Sequence, residues 1–271
     1  MSSEVAVRCR GLGKAFQLYA RRTDQVKQLL FGSFHRFYRE YWVLRDVDLD
    51  VRRGESVAIV GRNGAGKTTL LRLLCGITEP TRGELLIHGR IAPILALGAA
   101  FDWEMTGRQN VMIGGAVLGL RRSEILRRLP SIAEFAAIGP FIDQPARLYS
   151  SGMRSRLAFA ICAHADADIL LVDEALAVGD AAFRQKSLAF LRSFRDRGTL
   201  IVVSHDLDQI RETCERAIWI DDAGIRADGP VAEVLPLYEA ASEAEADDGA
   251  RFAFDAARLA VADGARAPRR E

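Results

Sequence analysis

Residues 61–68 read Gly61-Arg62-Asn63-Gly64-Ala65-Gly66-Lys67-Thr68, and Thr69 follows. The octapeptide fits G-x-x-x-x-G-K-[ST], the pattern of a loop that cradles phosphates. It stands where such a loop must stand. Ser56–Val60 before it is a short apolar run that reads as a buried strand. Residues 66–75 after it read as a helix whose buried face carries Leu70, Leu71, Leu73 and Leu74. The glycines let the main chain curl until successive N–H groups point inward at phosphate oxygens. The helix start adds partial positive charge. Lys67 is expected to reach the β- and γ-phosphates and the Thr68 hydroxyl to coordinate Mg²⁺. Gly61 to Thr69 together form the candidate nucleotide-binding loop.

Well downstream, Ile169-Leu170-Leu171-Val172-Asp173-Glu174 sends two carboxylates out of an apolar run that reads as a central strand. Beside a phosphate loop, Asp173 is expected to hold Mg²⁺ and Glu174 to polarise an attacking water. Two further stretches stand out. Tyr149-Ser150-Ser151-Gly152-Met153 precedes a predicted helix, and Ser204-His205-Asp206 closes the apolar run Leu200–Val203.

The bulk numbers suit this picture. A chain of 271 residues accommodates one large α/β domain with a modest appendage. Its 49% hydrophobic and 27% charged content is that of a soluble globular protein. The net charge of +1 gives no global field favouring nucleic acid or an anionic membrane. Cys9, Cys75, Cys162 and Cys214 are far apart in sequence and read as reduced, mostly buried thiols of a cytosolic protein. MSSEVAVRCR lacks a signal-peptide core. The longest charge-free apolar runs, Ile91–Phe101 and Val111–Leu120, fall short of the ~18 residues that span a bilayer. Any dealings with a membrane are expected to pass through a partner chain.

Along the chain, residues 5–10 alternate loosely and suggest an edge strand. Residues 17–45 mix Arg21, Arg22, Lys27, Arg36, Arg39 and Arg45 with Tyr19, Phe31, Phe34, Phe37, Tyr38, Tyr41 and Trp42. This segment reads either as a solvated basic loop with some core aromatics or as an amphipathic helix at a membrane surface or membrane protein. Leu44–Val51 suggests a strand and residues 52–55 a turn. Residues 107–147 look helical throughout, with Ser123 as a helix cap, and read as an insertion between two sheet-forming halves. Helices at 152–165, 182–195 and 207–213 then alternate with strands Ile169–Val172, Thr199–Ser204 and Ala217–Ile220, which implies a parallel sheet covered on both faces. The tail after Tyr238 carries Glu243, Glu245, Asp247 and Asp248 and is expected to be a frayed helix or disordered.

Tyr149–Met153 resembles the ABC signature motif, with Ser150 and Gly152 at the matching positions. Together with the loop and the acidic strand end, it makes residues from about Val5 to about Tyr238 resemble an ABC nucleotide-binding domain. The resemblance implies an α/β P-loop NTPase fold with a mostly parallel core sheet, an antiparallel β part and a helical subdomain. Its expected divisions are a domain at 1–238, with the helical subdomain at about 107–165 and the basic-aromatic insertion at 17–45, and a tail at 239–271. It further implies that His205 contacts the γ-phosphate, that Asp180 is a dimer-interface residue, and that a head-to-tail homodimer holds two ATPs. Each ATP would face Ser150, Ser151, Gly152 and Met153 of the other copy. Phe16, with Tyr19 as the alternative, would stack on adenine.

Three stretches resemble the subgroup that exports O-antigen, capsule or teichoic acid: Tyr149–Ala160, Asp173–Asp180 with Ala175 where most importers have proline, and Thr106–Val111. That subgroup implies an ABC-2-type integral-membrane permease as partner, a polysaccharide reached only through the permease, no nucleic acid, and a peripheral place on the cytoplasmic face of the bacterial inner membrane. Residues 101–108, with Trp103, are the expected contact. Where the common pattern has a glutamine touching Mg²⁺, near Ala96–Leu97, there is none. The stretch after Tyr238 is too short for a glycan-binding sandwich. The rival expectations are a soluble ABC ATPase acting on nucleic acid or ribosomes, and a P-loop kinase or GTPase, which leaves Ser150–Met153 and His205 unexplained.

Overall fold

The computed structural model describes residues 4–31, 36–94, 101–173 and 180–244. Two sheets organise them. One is antiparallel, built from β1 (Val5–Leu18), β2 (Arg39–Arg52) and β4 (Arg82–Ile87) in the order β2-β1-β4. The other has the order β5-β6-β7-β3-β8-β9 and contains β3 (Ser56–Val60), β5 (Ile91–Pro93), β6 (Ile169–Asp173), β7 (Thr199–Val203), β8 (Arg216–Asp221) and β9 (Gly224–Pro230). All its pairings are parallel except the β8–β9 hairpin.

The central strands are buried on both faces, and their side chains alternate between two cores. Val57 and Ile59 of β3 face the core shared with the antiparallel sheet and with α2 (Lys67–Leu74). Ala58 and Val60 face the core shared with the helices on the other side. Those helices are α3 (Gly107–Val117), α4 (Arg122–Ala136), α5 (Ser151–Ala163), α6 (Ala181–Arg195) and α7 (Leu207–Thr213). A last helix, α8, spans 231–244 and buries Val231, Val234 and Leu235, with Tyr238 edge-on to Trp219.

Several sequence expectations need correction. The strand begun at Val5 is the middle of its sheet, not an edge, and it runs on to Leu18. Alternation reports which face is buried, not whether both edges are paired. Arg8 and Arg10, on its exposed face, both pair with Asp50 of β2. Residues 17–45 are neither one loop nor one helix. Among the described residues helix α1 covers Arg22–Phe31, with no buried residue. From Arg39 onward the chain belongs to β2, because Tyr41, Trp42 and Val43 are strand formers laid against β1. Ser123 lies inside α4 rather than capping it. The preceding turn is closed by the Glu124 carboxylate, which accepts the Arg121 N–H at 2.8 Å. Residues 107–147 are not helical throughout: α3 ends before a turn at Gly119 (φ +80°), and short 3₁₀ turns at Gly139–Asp143 and Ala146–Leu148 follow α4. Strands β4, β5 and β9 had no clear sequence signal. The four cysteines are free, three of them buried.

Candidate functional site

The loop leaves β3 under tight steric constraint. Gly61 has φ +152°, and a Cβ there would lie 2.3 Å from the Ile220 carbonyl oxygen of β8. Gly66 has φ +108°, and a Cβ there would meet the Val43 carbonyl and the Leu44 side chain at 2.8 Å. Only glycine fits at these two places. The loop is therefore wedged between the end of β8 and the middle of β2 at Val43–Leu44. Lys67 opens α2 and is nearly buried. Its Nζ donates to the Gly61 carbonyl at 2.7 Å and to the Arg62 carbonyl at 2.9 Å, so the ammonium is held across the loop. Arg62, Asn63, Gly64 and Thr68 are exposed, and Ala65 and Thr69 half-buried.

The strand order β6-β7-β3 brings the acidic end to the loop. Asp173 pairs in register with Val203 of β7, and Val203 with Ile59 of β3. Asp173, Ser204 and Gly61 thus emerge along one carboxyl edge of the parallel sheet, where α/β sheets bind their ligands. Asp173 is only 6% exposed. The nearby Cys75 thiol is pushed up to about 11 by burial, with a smaller contribution from the Asp173 carboxylate. Next to Ser204, His205 is exposed. Ser204 Oγ accepts the Asp206 N–H at 3.0 Å, and Asp206 caps α7 by accepting the Gln209 N–H. Glu174, residues 177–179 and the Ala96–Leu97 position lie outside the described residues.

A cavity of about 400 Å³ opens beside the loop, lined by Tyr41, Trp42 and Val43 of β2, Arg62–Ala65, and Asp221–Ala223 of the β8–β9 turn. Neither Phe16 nor Tyr19 lines it. Phe16, 41% exposed, sits across the β1–β2 ladder from Tyr41, with Lys14 Nζ 5.5 Å from its ring centre. Tyr19 donates to Gln17. Tyr41 was visible only as one aromatic among many at 31–42; the β1–β2 register singles it out.

Ser150 caps α5, its hydroxyl accepting the Met153 N–H at 3.2 Å. Ser150 and Ser151 are exposed and Gly152 and Met153 half-buried, and none of the four lines the loop cavity. Asp180 caps α6 by accepting the Phe183 N–H at 2.8 Å. Trp103 is 43% exposed, with the Arg154 guanidinium over its ring at 4.8 Å. Sequence reasoning did not pick out Asn110. Fully buried on α3, it accepts the Asp102 N–H at 2.8 Å and donates to the carbonyls of Asp102, Met105 and Thr106, fixing the turn that holds Trp103.

Comparison with known proteins agrees with this geometry. The family model described as ABC transporter matches residues 44–177. The O-antigen export system ATP-binding protein RfbB of Klebsiella pneumoniae is 41% identical over 233 residues, covering 84% of this chain and 95% of that protein. The teichoic acids export ATP-binding protein TagH of Listeria monocytogenes is 39% identical over 240 residues, covering 88% of this chain and 71% of its own length. Among solved structures, a dimeric ATP-binding cassette in a post-hydrolysis state with ADP and Pi superposes with a TM-score of 0.68 at 20% identity, covering 83% of this chain and 98% of the other. With a relative this similar matched over nearly its full length, the chain belongs to the ABC transporter family and carries that family's nucleotide-binding cassette.

Proposed function

We propose that this chain is the ATP-binding and ATP-hydrolysing subunit of an exporter that moves a surface polysaccharide or lipid-linked glycan through a separate permease. The observation that carries the nucleotide chemistry is the shared sheet edge of Gly61–Thr69, Asp173 and Ser204–His205. The cargo class is supported by relatives named for O-antigen and teichoic acid export. Among the described residues no helix is long and apolar enough to cross a membrane. The integral-membrane partner, of the ABC-2 type in this reading, is supported by the export-system relatives.

In this reading the loop N–H groups and Lys67 grip the triphosphate. Lys67 is already desolvated and aimed across the loop, so it exchanges two carbonyl acceptors for phosphate oxygens. A hard cation suits the pair of an exposed Thr68 hydroxyl and a nearly buried Asp173 carboxylate at the strand end, both oxygen donors. Mg²⁺ held there would neutralise phosphate charge. Glu174 would take the proton of the attacking water as the bond to the γ-phosphorus forms, and ADP leaves with the β–γ bridging oxygen. His205 would steady the γ-phosphate. The base would occupy the Tyr41–Val43 cavity. A second copy, offering Ser150–Met153 and contacting Asp180, would complete each site. Trp103 and its turn would face the permease at the cytoplasmic side of the membrane.

Nucleotide titration of Lys67→Ala tests the assignment. Losing charge-assisted bonds worth about 1.5–3 kcal/mol should weaken ATP binding about ten- to a hundred-fold. Wild-type affinity in that variant, or no ATP binding by the parent, would refute it. For the transport role against that of a soluble ATPase, the chain should sediment with membranes only when the permease is co-expressed; sedimentation that ignores the permease would refute it.

A further inference from the structure

We infer that Arg156 is a positioning residue that ties the Ser150-tipped helix to the Asp180 cap, so that the two dimer-facing ends of one chain move as a unit. The inference rests on the nucleotide-site reading above and extends it to a residue that reading leaves without a role.

Arg156 lies on α5, six residues beyond the Ser150 cap, with a side chain only 20% exposed. Its Nη1 reaches Asp180 Oδ2 at 3.3 Å, while Asp180 Oδ1 accepts the Phe183 N–H at 2.8 Å. One carboxylate thus serves two purposes: it caps α6 and receives the guanidinium of α5. Phe183, whose N–H is capped, packs edge-on against Phe159 of α5, ring centres 5.8 Å apart. The polar link and the aromatic contact close a ring between the second and third turns of α5 and the first turn of α6, which fixes their relative rotation as well as their distance.

Two features argue that the link is more than a helix-packing device. The aromatic cluster of Phe135, Phe159, Phe183 and Phe190 already holds α4, α5 and α6 together. Asp180 is 61% exposed, so the ion pair adds little to stability. Second, Arg156 Nε is buried with no hydrogen-bond partner among the described residues. A donor left in that state carries a cost. A residue kept only for packing would avoid it; one kept to orient a carboxylate need not. Asp180 caps the helix that follows β6, whose end carries Asp173, so Arg156 ties the Ser150-capped helix to the next helix after the acidic strand end.

The test compares Arg156→Ala, Arg156→Lys, Asp180→Asn and Arg156→Ala/Asp180→Asn in the full chain. Asparagine retains a capping oxygen but loses the charge. Steady-state hydrolysis, nucleotide affinity by titration and thermal unfolding are measured for each. Arg156→Ala should lower kcat about ten- to a hundred-fold through misplacement of the reacting groups. Its nucleotide affinity and melting temperature should stay near the parent values, and Arg156→Lys should recover part of kcat. The double variant should be no slower than the slower single, since both remove one link. The inference is overturned by a near-parental kcat in Arg156→Ala, by single effects that multiply in the double, or by a kcat loss matched by lost affinity or stability. If the parent neither binds nor hydrolyses ATP, the nucleotide-site reading falls and takes this inference with it. If Lys67→Ala weakens binding while Arg156→Ala is silent, only the inference falls.

Discussion

Replacing Gly61 with alanine isolates the backbone constraint on which the loop depends. At φ +152° an L-residue is strained by about 1–3 kcal/mol. The new Cβ would also lie 2.3 Å from the Ile220 carbonyl oxygen. That oxygen belongs to β8, held between β3 on one side and β9 on the other, so it cannot withdraw cheaply. Overpacking of this kind adds about 1–3 kcal/mol, for a total of about 2–6 kcal/mol. At about 2–4 °C per kcal/mol for a chain of this size, the melting temperature should fall by roughly 5–20 °C. Gly64→Ala is the control. Gly64 has φ +85° with nothing within 4 Å of its added Cβ, so strain alone applies and the fall should be only a few degrees. The assay is thermal unfolding with and without Mg²⁺ and ATP. ATP at a hundred times its Kd should stabilise the parent by about 2.7 kcal/mol, an upward shift that Gly61→Ala should lose as its loop amides turn away. Equal melting temperatures for the two variants, with the ATP shift intact in Gly61→Ala, would refute the steric argument.

Glu174→Gln should bind ATP while hydrolysing it about 10²- to 10⁴-fold more slowly, read by phosphate release; a near-parental rate would remove Glu174 as the base. Asn110→Leu strands the Asp102 amide and neighbouring carbonyls, and should lower stability by about 2–4 kcal/mol in urea titration; an unchanged midpoint would show that water replaces the amide. The Asp50, Asp143 and Asp166 carboxyls are held below the usual range, chiefly by hydrogen bonds from Arg10, Arg108 and Arg128 respectively. With folded-state values depressed, their stabilisation is present above the unfolded carboxylate value of about 3.9 and lost as pH falls through the folded values. Melting temperature should therefore drop below about pH 4, modestly because the pairs are exposed. Burial pushes the Cys9 thiol up to about 12 and Cys75 to about 11, so stability should also decline as pH rises above the ordinary thiol range toward those values. Melts across pH check both limbs.

What the sequence revealed and what it hid divide along a physical line. The loop and the acidic strand end were legible because their requirements are local: glycines where Cβ has no room, a lysine at a helix start, carboxylates at the end of an apolar run. Capping by Ser150 and Asp180 is local too, one side chain closing on an amide three residues on. Ser123 shows the limit of that signal, since a capping residue type two positions past the cap looks the same in sequence as one at the cap itself. The position of β1 between β2 and β4 depends on ladders to strands dozens of residues away, with Cys9 opposite Leu49 of β2 on one side and Leu85 of β4 on the other. Tyr41 lines the cavity as a residue of β2, set across the β1–β2 ladder from Phe16; a reading that keeps 17–45 as one segment does not place it there. Arg156 escapes for the same reason, its partner being the cap of a helix that begins beyond β6. Asn110 escapes although its partners Asp102, Met105 and Thr106 are near in sequence, because the turn before α3 must fold back over the helix before its amide can serve them. Motif spacing therefore identifies the groups that touch a ligand, whereas the groups that orient them become visible only once strand register and helix packing are in hand.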